Sequence, residues 1–529
     1  MRLSFARGAA GLVAGLVAGL SVAPSVVSAQ PGGVSAACTL DPNSPKELAV
    51  MELQYQRARS ASTPEVRQSA LKAMIKELDT KPERFAKNPG GYQLRIAQTL
   101  AMWAVEPGIG YTPLRSALGY ITTPTETIDL VQKLDETYKA IAAAVPSCES
   151  DVKALRQNEV WLALTRRALD ASNGGQLDTA EIYAKRSLLM SAENPYPYYV
   201  LGNVANQKKD RAAAMAAWKM VVSTAAADTS YRELKNSSMY LLSVNLLEAA
   251  EGATGAEQQK TAKEAATAFK ALLGAMPDSP DVPNIMQSWS DAMRMAGDSA
   301  NIPSIYTDML AKPAGYTEAA LTMAGVIATR INKMDDALGL FGAATSRSAA
   351  AHDALRNLAS TYYGKEQFTK MFEPLNKFVA LDPNNYDGWM MFAYASQGLA
   401  KAVQMPPEPK KGAVVTPAQR AAMETANAAR KAWNDSTLKY MNYAEALPVK
   451  VEVVTWQRGA KDASVTLKFE QAADAVGNYT VTVEFLDAAG KVVGTAANPV
   501  GPIKKGESKN VVFKATATDV AGYRYNAIK

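Results

Sequence analysis

Residues Glu318–Leu399 read EAALTMAGVIATRINKMDDALGLFGAATSRSAAAHDALRNLASTYYGKEQFTKMFEPLNKFVALDPNNYDGWMMFAYASQGL. Within this stretch Gly325, Ala359 and Ala393 follow one another at intervals of 34, and Leu321, Leu355 and Trp389 each precede them by four. Small residues recurring at a fixed interval within helical spacing point to repeated helix–turn–helix units. Two amphipathic helices of such a unit cannot bury their apolar faces alone, so neighbouring units must stack to share a core. The small positions would let paired helices approach. Phe341, Tyr362 and Trp389 are expected to fill the gaps between units.

The run Asp335-Asp336-Ala337-Leu338-x-Leu340-Phe341-x-x-Ala344, together with Leu381-Asp382-Pro383 before the next unit, resembles the tetratricopeptide (TPR) repeat family. The same period returns upstream, where Ala168 and Gly202, and Ala180 and Ala214, are each 34 apart. Asn173-Gly174-Gly175 is placed to turn between helices. Residues 228–317 read as degenerate repeats: Ala265, Phe269, Leu272 and Pro277 keep the spacing of a second helix, and Trp289 and Met293 continue the stack. The fold class expected is therefore mainly α, an α-solenoid of TPR-like helix pairs over residues 159–448. A proline-rich insertion at 405–417 interrupts it, and Thr416-Pro417-Ala418-Gln419 then caps a long closing helix.

Upstream of the repeats, residues 44–158 read as an irregular helical region. Ser44-Pro45-Lys46-Glu47 and Thr123-Pro124-Thr125-Glu126 have the form of an N-cap followed by proline and glutamate, and Thr63-Pro64 starts a helix in the same way. Downstream, the apolar period changes to two. Val449, Val451 and Val453, then Val465, Leu467 and Phe469, then Tyr479, Val481, Val483 and Phe485 alternate with polar residues. That alternation predicts half-buried antiparallel strands, and six or seven of them over residues 449–529 predict a small immunoglobulin-like sandwich. Val483-Glu484-Phe485-Leu486-Asp487 resembles the FxLYD-type bacterial sandwich domains, without the tyrosine of that name.

Residues 1–29 have the pattern of a signal peptide: Arg2 and Arg7, a short apolar run from Gly8 to Leu20, and the small-residue site Val27-Ser28-Ala29. Residues 30–43 would follow as a flexible segment. The expectation is an exported protein, in a bacterial periplasm or at the cell surface. Cys38 and Cys148 are the two cysteines of the chain, and an even count in an oxidising compartment predicts one disulfide between them. A net charge of +6 over 529 residues, with two of the positive charges in the signal segment, gives no case for a nucleic-acid partner. No transmembrane segment is expected in the mature chain.

Candidate chemistry is sparse. His352 is the single histidine, so no site needing two imidazoles can form, and zinc sites of the Cys/His type fail on residue count. His352 is expected to be an ordinary surface or turn residue at a helix start. The segment from Asp382 to Gly388 has a calcium-loop look, but Tyr386 stands where an oxygen ligand is needed and the segment reads as an inter-repeat turn. No phosphate-cradling glycine motif follows a strand, and no cofactor is called for. The chain is accordingly read as no enzyme.

In TPR-like stacks the first helix of each unit lines the concave face. On that resemblance the partner-binding residues would be Arg166, Tyr196, Tyr199, Asn203 and Asn206 in one block. In the other they would be Arg330, Arg356, Asn357, Tyr363, Tyr394 and Gln397, with Thr329 and Ser360 beside them. Arginine, asparagine and tyrosine together suit a protein or peptide partner, because amides hold backbone, arginine takes carboxylate, and tyrosine supplies area at low entropic cost. The function expected is a non-catalytic scaffold supporting a cell-envelope complex. The alternatives are a carboxylate-based glycan hydrolase on a helical toroid, which would need two acids about 5–10 Å apart, and a purely structural cell-surface component.

Overall fold

The computed structural model describes residues 40–41, 44–157, 159–226, 228–407, 416–459 and 461–529. The signal segment, Cys38 and the middle of the proline-rich insertion lie outside them. The chain forms two compact units, Met1–Leu234 and Lys235–Lys529.

In the first unit α1 (Lys46–Arg59) pairs with α2 (Pro64–Thr80). The next pair is α3 (Pro89–Val105) with α5 (Leu130–Ala144), separated by a long connection that holds the short α4 (Arg115–Leu118). After α6 (Glu149–Arg156), α7 (Glu159–Asn173) pairs with α8 (Leu177–Met190), and α9 (Pro195–Gln207) with α10 (Arg211–Ala225). Each pair packs on the next, α3 on α7 and α8 on α9. Helix pairing thus begins well before the legible 34-residue period. The insertion between α3 and α5 is what breaks the spacing in the sequence.

Caps explain part of this. Thr63 accepts from the Val66 amide to open α2, Asn88 from Gly91 to open α3, and Asp129 from Val131 and Gln132 to open α5. Thr123, read from sequence as a cap, opens no helix. It sits at φ 45° in a turn whose Glu126 carbonyl accepts from Arg115, closing the insertion on itself. Ser44 does not cap α1 either: Pro45 occupies the cap position without a side-chain bond.

The unit boundary falls inside α11 (Arg232–Gly252). In the second unit α12 (Gly255–Ala275) pairs with α13 (Val282–Met295), and the short α14 (Thr307–Ala311) leads into α15 (Glu318–Arg330). There α15 pairs with α16 (Met334–Arg347), α17 (His352–Gly364) with α18 (Phe372–Leu381), and α19 (Tyr386–Ala402) with α20 (Pro417–Glu445). Thr416 and Gln419 form the reciprocal capping box expected of them, with Pro417 at the first helical position.

The contacts inside a pair give the 34-residue period its physical cause. A Cβ built on Gly325 would stand 2.5 Å from the Phe341 ring, and one on Gly202 would stand 2.5 Å from the Trp218 indole. In both pairs glycine and aromatic are sixteen residues apart, one on each helix. Phe341 therefore fills space within its own pair, against Gly325, and not the gap between units that the sequence suggested. Ala359 and Ala393 are buried at the positions equivalent to Gly325, and Ala337 is buried on the second helix of its pair.

The last 81 residues form two three-stranded antiparallel sheets. One has the order β1 (Val449–Arg458), β2 (Asp462–Gln471), β5 (Ser508–Thr516); the other has β4 (Val492–Ile503), β3 (Gly477–Leu486), β6 (Gly522–Tyr525). Val449, Val451, Val465, Val481 and Val483, with Leu467, Phe469, Phe485 and Phe513, interdigitate between them. Val453, expected to continue the alternation, is exposed instead, where a register shift between Val453 and Thr455 interrupts the β1–β2 ladder.

The sandwich docks on the loops of the repeats, within the second unit. Asn384 donates to the carbonyls of Val449 and Ile528 and accepts from the Ile528 amide, while the Tyr525 hydroxyl donates to Asp382. Ala349 N–H bonds the Ala488 carbonyl, and Arg458 pairs with Glu318 at 3.3 Å. Asp382 and Asn384, read from sequence as turn residues, are therefore also the buried pins of this junction. His352 corrects its reading as a surface histidine. Its ring stacks on Tyr523 at 4.2 Å and meets Phe378 edge-on, and its Nε2 is buried with no partner among the described residues.

Candidate partner-binding surface

In the first unit, Tyr199, Asn203 and Asn206 are spaced to share one stripe of α9 and are half-buried, and Arg166 is exposed on the neighbouring α7. Tyr196 begins α9 and plays a more structural part. Its ring meets Tyr231 edge-on at 5.8 Å, and Asn194, which caps α9 by accepting from the Tyr196 amide, also donates to the Tyr231 hydroxyl at 3.2 Å. Burial raises the pKa of both tyrosines.

The second unit builds a denser surface. Arg356, Ser360 and Tyr363 follow one stripe of α17 and are exposed, with Tyr363 at 46% exposure, while Asn357 is half-buried beside them. Tyr394 and Gln397 lie on α19, the first helix of the following pair. The Tyr363 and Tyr394 rings approach to 6.3 Å, and Phe368 meets Tyr363 edge-on at 5.7 Å. Phe368 is fixed from below: a Cβ on Gly398 would stand 2.5 Å from its ring, so only glycine there leaves room. The result is an aromatic ledge across two helix pairs.

Charge flanks the ledge. Arg356 lies 3.9 Å from Asp387, and Arg330, at the end of α15, lies 3.9 Å from Asp291. Both are loose, solvent-exposed pairs of small intrinsic worth, open to exchange for a ligand carboxylate. Next to Asp387 in the chain, the Tyr386 hydroxyl donates to Glu445 at 2.5 Å, and that bond, with burial, pushes its pKa up to about 12. Lys450 stands 4.0 Å from the centroid of the same ring.

Of the expected residues, the structure brings Tyr363 and Tyr394 together, places Arg356 two turns from Tyr363 on the same stripe of α17, keeps Tyr199, Asn203 and Asn206 in register on α9, and assigns Tyr196 to packing. Phe368, Tyr386 and Asp387 were not among the sequence candidates. They stand in turns and at helix starts, outside the helix faces that the repeat register selects.

Among the described residues no group of three or more His, Cys, Asp or Glu side chains converges as a metal ion would require, and no helix is long and apolar enough to cross a membrane. No family model matches the sequence, and no curated protein does. Comparison with solved structures returns matches that include the crystal structure of the P58(IPK) TPR domain. It is 13% identical, and the match covers 61% of this chain and 98% of that one at a TM-score of 0.17. At that score the two chains do not superpose as wholes, and the repeat architecture stands on the helix pairing and glycine–aromatic contacts described above.

Proposed function

We propose that this protein is an exported, non-catalytic scaffold that holds an extended segment of a partner protein against the first helices of its repeats. The observation that carries this reading is the ledge formed by exposed Tyr363 and half-buried Tyr394, with exposed Arg356 two turns away on the same stripe of α17 as Tyr363. Tyrosine and arginine are the side chains that most often dominate binding energy at interfaces, and here they sit on rigid helices rather than loops. The weak Arg356–Asp387 pair leaves the guanidinium available to a partner carboxylate. The cell envelope is the compartment this reading assigns, following from the signal pattern of residues 1–29.

One observation supports the accompanying disulfide between Cys38 and Cys148. Leu40 and Val145 lie together at Gly90, each 2.8 Å from where a Cβ would be. Those residues stand two after Cys38 and three before Cys148, so residues 40 and 145 meet at one point of α3.

A photo-crosslinking residue in place of Ser360, used in native envelopes and followed by mass spectrometry, identifies the partner segment. The Arg356→Ala, Tyr394→Ala variant is then expected to bind that segment on the order of 10–100-fold more weakly, with an unchanged melting temperature. Equal affinity of variant and wild type would exclude the ledge as the binding surface.

A further inference from the structure

Strand β3 runs for ten residues and pairs with β4 from Gly477 to Leu486. On its other edge β6 covers only Val483 to Leu486. The chain cannot continue that ladder, because after Tyr525 it is drawn off the sheet: the amide and carbonyl of Ile528 are both bonded by the Asn384 side chain. What remains between Asn478–Thr482 and the departing Asn526–Lys529 is an elongated cleft of about 370 Å³.

The wall of this cleft is main chain. In an antiparallel ladder alternate residues turn N–H and C=O to the same side, so within residues 478–482 some of these groups point away from β4. None of them has a backbone partner on that side among the described residues. Sheet edges left open in this way are normally blunted by lysine, proline or a bulge within the strand. Asn478-Tyr479-Thr480-Val481-Thr482 contains no charge and no proline. The register shift nearest to it precedes Tyr479, leaving Thr480–Thr482 in regular extended pairing.

We propose that this cleft is a strand-addition site, which takes an extended peptide of a partner as a seventh strand, collinear with β6 and paired to β3. An extended backbone is the ligand that offers donors and acceptors at the spacing these free groups require. The volume is that of roughly three residues at interior packing density. Cross-strand preference fixes the side chains. Hydroxyl-bearing residues face Thr480 and Thr482 on the outer face, and small β-branched aliphatic ones face Val481 on the inner face. The site is separate from the ledge on α17 and α19, so a partner could engage either without the other.

The test uses the full mature chain and the synthetic peptide acetyl-Thr-Val-Thr-Val-Thr-amide. Amide exchange is followed with and without peptide, and the same peptide N-methylated at every residue, so that neither edge can donate, serves as control. The expected result is a saturable slowing of exchange confined to residues 478–482, lost with the N-methylated peptide. Absence of slowing there at millimolar peptide overturns the proposal, as does slowing that survives N-methylation. Slowing that appears without peptide and rises with protein concentration overturns it too, since a second copy would then be the occupant.

Discussion

Gly325 and Gly342 lie on the two helices of one pair and answer differently to the same substitution. A methyl at Gly325 would overlap the Phe341 ring, whereas one at Gly342, inside α16, would meet nothing within 4 Å. Gly325→Ala should cost about 1–3 kcal/mol through overpacking, even after the helix-propensity gain of alanine. Gly342→Ala should stabilise by about 0.5–1 kcal/mol, because it only restricts the unfolded chain and improves propensity. Urea unfolding of both variants checks this, and equal effects would mean the glycine–aromatic contact does not set the helix spacing. Gly202 against Trp218 should behave like Gly325. The small residues were legible in the sequence by their interval, but which large residue each one receives was not, since the partner lies sixteen positions away on another helix.

At the scale of the element, the junction between α17–α19 and the sandwich holds two groups that titrate in opposite senses. Burial pushes the Asp382 carboxyl up to about 6 against the pull of its bonds from Tyr525 and Asn385. Its folded pKa is above its unfolded one, so its contribution is full below about pH 4 and lost as pH rises through 6. Burial pulls His352 down to about 4 against its bond to the Ala350 carbonyl. The folded state keeps it neutral, so its contribution is full above about pH 6.5 and lost as pH falls toward 4. Between pH 6 and 4 the two offset each other. Asp382→Asn should therefore lose more stability than wild type on acidification across that window, and His352→Phe, which keeps the stack on Tyr523, should lose less. Denaturant titrations at pH 6 and 4 read both slopes, and parallel behaviour of the two variants would refute the assignment. A second element-scale expectation concerns α20. Thr416→Ala removes a capping box at a solvent-exposed end and should cost about 1 kcal/mol, seen as faster exchange in its first turns rather than as a lower global stability.

For the whole molecule, the division into two compact units predicts a selective effect of reduction. Both cysteines belong to the first unit, and a bridge between them would close a loop of roughly 110 residues, whose removal typically costs about 2–5 kcal/mol. Scanning calorimetry with and without reductant should show the transition of the first unit lowered and that of the second unmoved. Two identical scans would mean that the bridge is absent.

Sequence periodicity determined that helices pair and stack, that β-structure begins at Val449, and that a repeat face carries Arg356, Tyr363 and Tyr394. Those are local properties, because interval and alternation are written into neighbouring residues and fix which face each side chain takes. The tertiary structure alone decided that Thr123 serves a closed insertion and not a helix, that the His352 ring packs on Tyr523 of the sandwich, and that Asp382 and Asn384 pin it. It also left half of one edge of β3 open. Each of those outcomes depends on a partner supplied from far along the chain, 143 residues away for Asp382 and Tyr525. Pairings over such separations are set by which surfaces meet once the elements have formed, and no local pattern records them.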